Sequence, residues 1–198
     1  MQQRSEPHDS LDDFPTPPWA ARALCEHVIS TDPRRDTVLE PAANRGYMVK
    51  GLTDYFKTVH ASDIHDYGAG FPARDFLFPG PLPEVDWVIT NPPFRLAEQF
   101  IMRGLEVANA GVAVIVRSAF VEGVGRYDRL FSKTPPNLIV QFVERVPMVR
   151  GRYDPNASTA TSYCWLVWFR SGALNVGFEW IPPCRKQLER EEDYDITA

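Results

Sequence analysis

Residues 85–94 read Val85-Asp86-Trp87-Val88-Ile89-Thr90-Asn91-Pro92-Pro93-Phe94, an apolar run that stops at an amide, two prolines and an aromatic ring. The run predicts a buried strand over Val85 to Thr90. Its end predicts a stiff turn: each proline fixes φ and lacks a backbone N–H, so the turn offers carbonyl acceptors without matching donors. The Asn91 side-chain oxygen and the Pro92 carbonyl can then converge on one amino group, and the Phe94 ring can stack on a planar ligand. A strand can also end in a Pro-Pro turn for structural reasons alone. Open α/β sheets, however, bind ligands beyond the carboxyl ends of their strands, which is where this polar turn falls.

Working outward, strands and helices alternate. A helix is expected from Pro18 to Ile29 after the Thr16-Pro17 start signal, with Ala21, Leu24, Cys25 and Val28 at helical spacing. Thr37 to Leu39 reads as a strand, Gly46 to Phe56 as a helix and Thr58 to Ile64 as a second strand. After a loop-rich stretch and the 85–90 strand come a helix over Leu96 to Ala108, a strand over Gly111 to Val116 and a helix near Arg126 to Phe131. Two more strands follow, Leu138 to Val146 and Thr161 to Phe169. Alternation of this kind implies a mostly parallel sheet. In the last strand Cys164, Leu166 and Trp168 point one way and Trp165, Val167 and Phe169 the other. Both faces are apolar, so this strand is expected inside the sheet rather than at its edge.

The chain has 198 residues, enough for one domain with a real core. The reading is a flexible N-terminal segment over residues 1–13, one α/β domain over 14–184 and a charged tail over 185–198. No apolar run approaches the roughly 20 residues that span a bilayer, and the N-terminus lacks a signal-peptide apolar core, so a cytoplasmic protein without membrane association is expected. Cys25, Cys164 and Cys184 are few and far apart, and the four histidines lack ligand spacing; no disulfide framework and no metal site is expected. Monomer and homodimer both remain open.

The first strand runs into Leu39-Glu40-Pro41-Ala42-Ala43-Asn44-Arg45-Gly46-Tyr47, an acid followed by small residues and a glycine that opens a helix. Small residues let a ligand approach the backbone, and a helix start presents free N–H groups. The dinucleotide glycine fingerprint is absent, which argues against a pyrophosphate cofactor. Asp63, at the end of the second strand, is placed to accept both hydroxyls of a ribose, although an acidic turn residue is an equal reading of that position alone. Together they point to an adenosine. An amine gripped by two acceptors is pushed toward a nucleophilic geometry, which suits methyl transfer from a sulfonium.

These motifs, in this order, resemble those of the adenine-N6 DNA methyltransferases, in particular the small single-domain phage and prophage type. The resemblance covers most of the chain. It implies a Rossmann-like class I methyltransferase fold, with a mostly parallel seven-stranded sheet, the last-inserted strand antiparallel, and helices on both faces. It also implies S-adenosyl-L-methionine as cofactor and a base-flipped adenine in DNA as acceptor. Phe14-Pro15-Thr16-Pro17 looks like the family's N-terminal cofactor motif, near the methionine end of the cofactor. Glu40, Pro41, Ala42, Asn44 and Gly46 look like its first cofactor loop, and Asp63 matches its ribose-binding acid. Asp75-Phe76 resembles the pair that meets the cofactor's adenine. Asn91, Pro92, Pro93 and Phe94 match the catalytic tetrapeptide, with Asn91 also beside the cofactor. One departure is Asn44-Arg45-Gly46 in place of the family's frequent Gly-x-Gly; Asn tolerates the left-handed backbone region best among non-glycine residues.

The formal net charge of -5 argues against nonspecific nucleic-acid binding over the whole surface. From 121 to 152, however, Arg126, Arg129, Lys133, Arg145, Arg150 and Arg152 face only Glu122, Asp128 and Glu144. Arg126, Arg129, Lys133, Arg150 and Arg152 are therefore candidate phosphate contacts, with a solvated surface as the equal alternative. Loops 65–83, 121–136 and 147–161 are the candidates for sequence reading, the one holding Arg150 and Arg152 first. Two other readings stay open: the same tetrapeptide acting on RNA adenine or a protein glutamine amide, and a methyltransferase-like nucleic-acid-binding module with impaired catalysis.

Overall fold

A computed structural model describes residues 12–154, 159–171 and 175–194. The expected flexible segment over 1–13 thus falls largely outside the described residues, as do 155–158 of the loop 147–161. Seven strands form one sheet: β1 (Thr37–Glu40), β2 (Thr58–Ala61), β3 (Val85–Thr90), β4 (Ala108–Arg117), β5 (Leu138–Phe142), β6 (Tyr163–Phe169) and β7 (Gly177–Ile181). Their spatial order is β2-β1-β3-β4-β6-β5-β7. β2, β1, β3 and β4 are mutually parallel, β6 is antiparallel to both β4 and β5, and β5 is parallel to β7.

The alternating apolar faces of β6 explain its place. Cys164, Leu166 and Trp168 join one buried cluster, and Tyr163, Trp165 and Val167 the other. A strand with two apolar faces loses the most surface to water when flanked on both sides, and β6 sits between β4 and β5 accordingly. The two clusters are the two layers of core. On one face α1 (Pro18–His27) and α2 (Tyr47–Leu52) cover Val38, Trp87, Ile89 and Ile115. On the other α3 (Ala97–Val107) brings Phe100 and Ile101 onto Val88, Val112 and Val114. A Cβ on Gly51 would stand 2.5 Å from the Pro18 carbonyl oxygen, so a glycine in α2 is what lets α1 approach.

Three elements differ from expectation. The helix near Arg126 is a short turn, α4 (Val124–Arg126), running into a π-turn over Tyr127–Phe131. β7 falls where no strand was singled out: it is short, at the sheet edge, with Phe178 and Trp180 exposed, so it lacks a buried apolar period. The charged C-terminal segment is docked as far as residue 194. α5 (Arg185–Leu188) is followed by a 3-10 turn in which Asp193 is fully buried, and both carboxylate oxygens of Asp193 accept from Arg22 of α1 at 2.7 Å. Cys25, Cys164 and Cys184 are free and buried, and burial pushes the Cys184 thiol up to about 11. Among the described residues no helix is long and apolar enough to cross a membrane, and no group of His, Cys, Asp and Glu is arranged to hold a metal ion.

Candidate active site

β1 lies between β2 and β3 while the chain crosses from one side of it to the other, so a crevice opens beyond the carboxyl ends of these three strands. A cavity of about 370 Å³ fills it, within the range of small-molecule sites. Glu40 closes β1, Asp63 stands two residues beyond β2, and Asn91 follows β3. All three line this cavity, with Phe14, Thr16, Pro41, Ala42, Asn44, Asp75, Phe76 and Pro93. Pro17, Gly46, Pro92 and Phe94 do not line it. Pro17 is the N-cap of α1, and Pro92 is buried in the turn.

Asn91 is held from one side. Its Nδ2 donates to the backbone carbonyl of Phe14 at 3.0 Å. A carbonyl only accepts, so the amide nitrogen must face Phe14 and Oδ1 is the end left for another donor. Next in sequence, Thr90 Oγ1 donates to Glu40 Oε1 at 2.6 Å, tying the ends of β1 and β3 together. Glu40 Oε1 also accepts from the Ala42 N–H, whereas Oε2 is buried without a partner. Burial pushes this carboxyl up to about 8; the Thr90 and Ala42 hydrogen bonds only partly oppose it. Thr16 Oγ1 is a second buried, unpartnered polar atom on the same cavity wall. A buried polar group without a partner is costly unless something completes it.

The loop after β1 differs from expectation in its N–H groups. Ala43 and Gly46 donate to carbonyls, Ala42 to Glu40, Asn44 to Asp63 and Arg45 to the Asn44 side chain. These donors build the loop, and α2 is only six residues long. Asn44 is the one positive-φ non-glycine among the described residues, at φ 51°. Its Oδ1 accepts from the Arg45 N–H and its Nδ2 donates to Asp13 at 2.8 Å. The Asn thus serves where glycine would not, by joining the loop to the N-terminal strap. Gly46 takes φ 86°, and a Cβ there would press on the Phe71 ring at 3.0 Å.

Asp13 gathers that strap. It accepts from Asn44 and, through both oxygens, from Arg45, and its carbonyl accepts from Gly151 at 2.8 Å. Burial acts to raise its pKa, but the bonds from Arg45 and Asn44 outweigh burial and hold the carboxyl below the usual range. Asp12 accepts from the Phe94 N–H at 2.8 Å. Residues 12–14 therefore touch the cofactor-type loop, the Asn-Pro-Pro turn and loop 147–154 together. Asp63 accepts from Asn44 and His65 N–H groups, one on each oxygen, and a carboxylate has lone pairs for about two donors more. Asp75 is exposed at the cavity, but the Phe76 ring is 2% exposed and packs against Phe100 at 5.1 Å, so it forms wall rather than a free stacking face.

The basic candidates divide. Arg126 and Arg129 flank Glu98, and Arg126 also donates to the Phe120 and Glu122 carbonyls; neither lines the cavity. Lys133 is exposed outside it. Arg150 and Arg152 are exposed in the loop that the strap holds through Gly151, and Arg152 pairs with Asp154. Sequence reasoning missed Asp12, Ile64, His65, Tyr67, Arg74 and Arg95, all of which line the cavity. Ile64 is 66% exposed beside Asp63, a signal only after the fold is known. Arg74 and Arg95 place cations at its edge.

No protein-family model matches the chain. No curated protein matches it either. Solved structures do. A modification subunit assigned to a type I restriction enzyme of Vibrio vulnificus YJ016 superposes with TM-score 0.57 at 18% identity, over 84% of this chain and 47% of that one. A protein of Pyrococcus horikoshii assigned as an RNA methyltransferase gives 0.57 at 17%, over 84% and 91%. The type I restriction-modification methyltransferase subunit of Streptococcus thermophilus gives 0.58 at 13%, over 96% and 51%. The chain spans about half the length of the two restriction-system subunits. At these identities the likeness is one of fold, and that fold is the Rossmann-like class I methyltransferase fold.

Proposed function

We propose that the chain is an S-adenosyl-L-methionine-dependent methyltransferase that methylates the N6 amine of adenine in DNA. The observation that carries this reading is the orientation of Asn91: with Nδ2 on the Phe14 carbonyl, Oδ1 is the end left to accept, on a residue that lines the same cavity as Glu40 and Asp63.

The residues present fit the cofactor. Glu40 Oε2 and Thr16 Oγ1 are orphaned polar atoms on the wall of a cavity that has an acid at the end of each of its first two strands. Asp63 would hold the ribose hydroxyls, Asp75 the adenine amine, and Thr16 with Glu40 the polar methionine end. Bound there, the cofactor supplies an electrophilic methyl on a sulfonium. Asn91 Oδ1 and the Pro92 carbonyl accept the two hydrogens of the acceptor amine and strengthen their hold as its nitrogen gains positive charge. Phe94 stacks on the acceptor base. The prolines and the Phe14 contact fix the acceptors beforehand, so little ordering is left for the moment of reaction.

Adenine in a duplex has to be flipped out to reach this turn, at a cost of a few kcal/mol offset by stacking and hydrogen bonds. Arg74 and Arg95 at the cavity, with Arg150 and Arg152 in the strapped loop, supply positive charge for the phosphates on either side. Two measurements test the reading together: calorimetry with S-adenosylmethionine, then mass analysis of nucleosides from DNA incubated with protein and cofactor. Cofactor binding with N6-methyladenine supports it. Binding with methyl transfer to RNA or protein but never to DNA refutes the acceptor.

A further inference from the structure

Arg117 ends β4, the strand beside β3, and its guanidinium lies 4.1 Å from the centre of the Phe94 ring. It is 5.8 Å from the Phe14 ring, and the two rings are themselves 5.4 Å apart. A planar cation at that distance stacks on the ring, as guanidinium groups do on aromatic faces. Tyr163, paired with Arg117 across the sheet, is nearly fully buried beside it. Among the described residues no carboxylate lies within ion-pair distance of Arg117, so the aromatic faces, not a counter-charge, hold this exposed group in place.

Arg117 thus covers one face of the Phe94 ring from the end of the neighbouring strand. Asn91 stands three positions earlier in the same turn, with its side-chain oxygen the end left to accept. A flat base stacked on that face of Phe94 would need the volume that the guanidinium fills. We propose that Arg117 is a stand-in for the acceptor base: it stacks on Phe94 while the acceptor half of the site is empty, and the entering base displaces it. This rests on the adenine methyltransferase reading given above and adds to it a positioning residue on the acceptor side. Arg117 does not itself line the cavity, although the Phe14 ring that it also approaches does, so the inference concerns the acceptor side.

The test uses a probe without phosphates, so that any contact of Arg117 with a DNA backbone does not enter. The probe is 2-aminopurine deoxynucleoside, whose fluorescence is quenched on stacking, titrated into protein saturated with S-adenosylhomocysteine. Arg117→Ala is expected to bind it roughly two- to fivefold more tightly than the parent protein, the range of an exposed cation–ring contact. Arg117→Lys keeps the charge without the flat face and is expected between the two. Adding Phe94→Ala to Arg117→Ala should abolish the gain. Equal or weaker binding by Arg117→Ala, or quenching in neither protein, overturns the inference. N6-methyladenine formed by the parent protein is the separate readout: methylation without any Arg117 effect removes this inference alone, and its absence removes the reading beneath it.

Discussion

The side-chain amide of Asn91 donates to the backbone carbonyl of Phe14 at 3.0 Å, across 77 residues of sequence. This bond turns an ambiguous amide into an acceptor of known direction. Asn91→Ala removes that acceptor, and the tie to Phe14 with it, while leaving both prolines of the turn in place. Methyl transfer should fall by a factor of about 10² to 10³ or more, the scale for loss of one preorganised polar group at a reacting centre. Cofactor affinity should change only severalfold, as read by calorimetry on the same protein.

Asp13 joins Asn44, Arg45 and Gly151, so it fixes the strap across the cofactor-type loop. Asp13→Ala should loosen that strap and speed cofactor dissociation severalfold in stopped-flow measurements. Asn44→Gly suits the backbone at φ 51° but cuts the side-chain link to Asp13, and it should shift dissociation in the same direction by less, since Arg45 keeps its bond. A dissociation rate unchanged in both variants contradicts this role.

Glu40 makes stability depend on pH. Burial raises its folded-state pKa from an ordinary 4.5 to about 8, so its contribution is fully present below about 4.5 and is lost as pH rises through about 8. Glu40→Gln keeps both hydrogen bonds, because Oε1 accepts the two and Oε2 none. The difference in melting temperature, variant minus parent, should therefore grow between pH 5 and 8.5. The full effect is on the order of a few kcal/mol for a shift of this size. A flat difference across that window contradicts the assignment.

Arg22 and Asp193 form a buried ion pair, 1% and 0% exposed, in which Arg22 also reaches Asp54 and the Leu188 carbonyl. Removing one partner of a buried pair leaves the other charge stranded, a loss of about 3 to 5 kcal/mol. Asp193→Ala should lose near 3, since Asp54 stays beside Arg22. A lower denaturant midpoint at unchanged slope is the expected result.

What could be read from the chain followed from how local each signal was. Val85 to Thr90 is a strand with the bounds its apolar run implied, because a proline turn ends it in the sequence itself. Glu40, Asp63 and Asn91 were legible because polar groups at strand ends have one place to go once the strands are parallel. β7 was not, since an edge strand with Phe178 and Trp180 in solvent has no buried period to detect. The charge excess around Arg126 and Arg129 was real in sequence but is offset by Glu98, which only the packing of α3 brings to them. Asp193 looked like part of a charged tail because its partner is 171 residues away. Arg117 carried no local mark at all, as stacking on Phe94 exists only after β3 and β4 pair.

The most direct measurement is mass analysis of DNA nucleosides after incubation with cofactor and either the parent protein or Asn91→Ala, with cofactor binding recorded for both. The account predicts N6-methyladenine from the parent protein and essentially none from the variant, at similar cofactor affinity. Methylation by Asn91→Ala at the parent rate, or a cofactor-bound parent protein that leaves adenine in DNA unmodified, would contradict it.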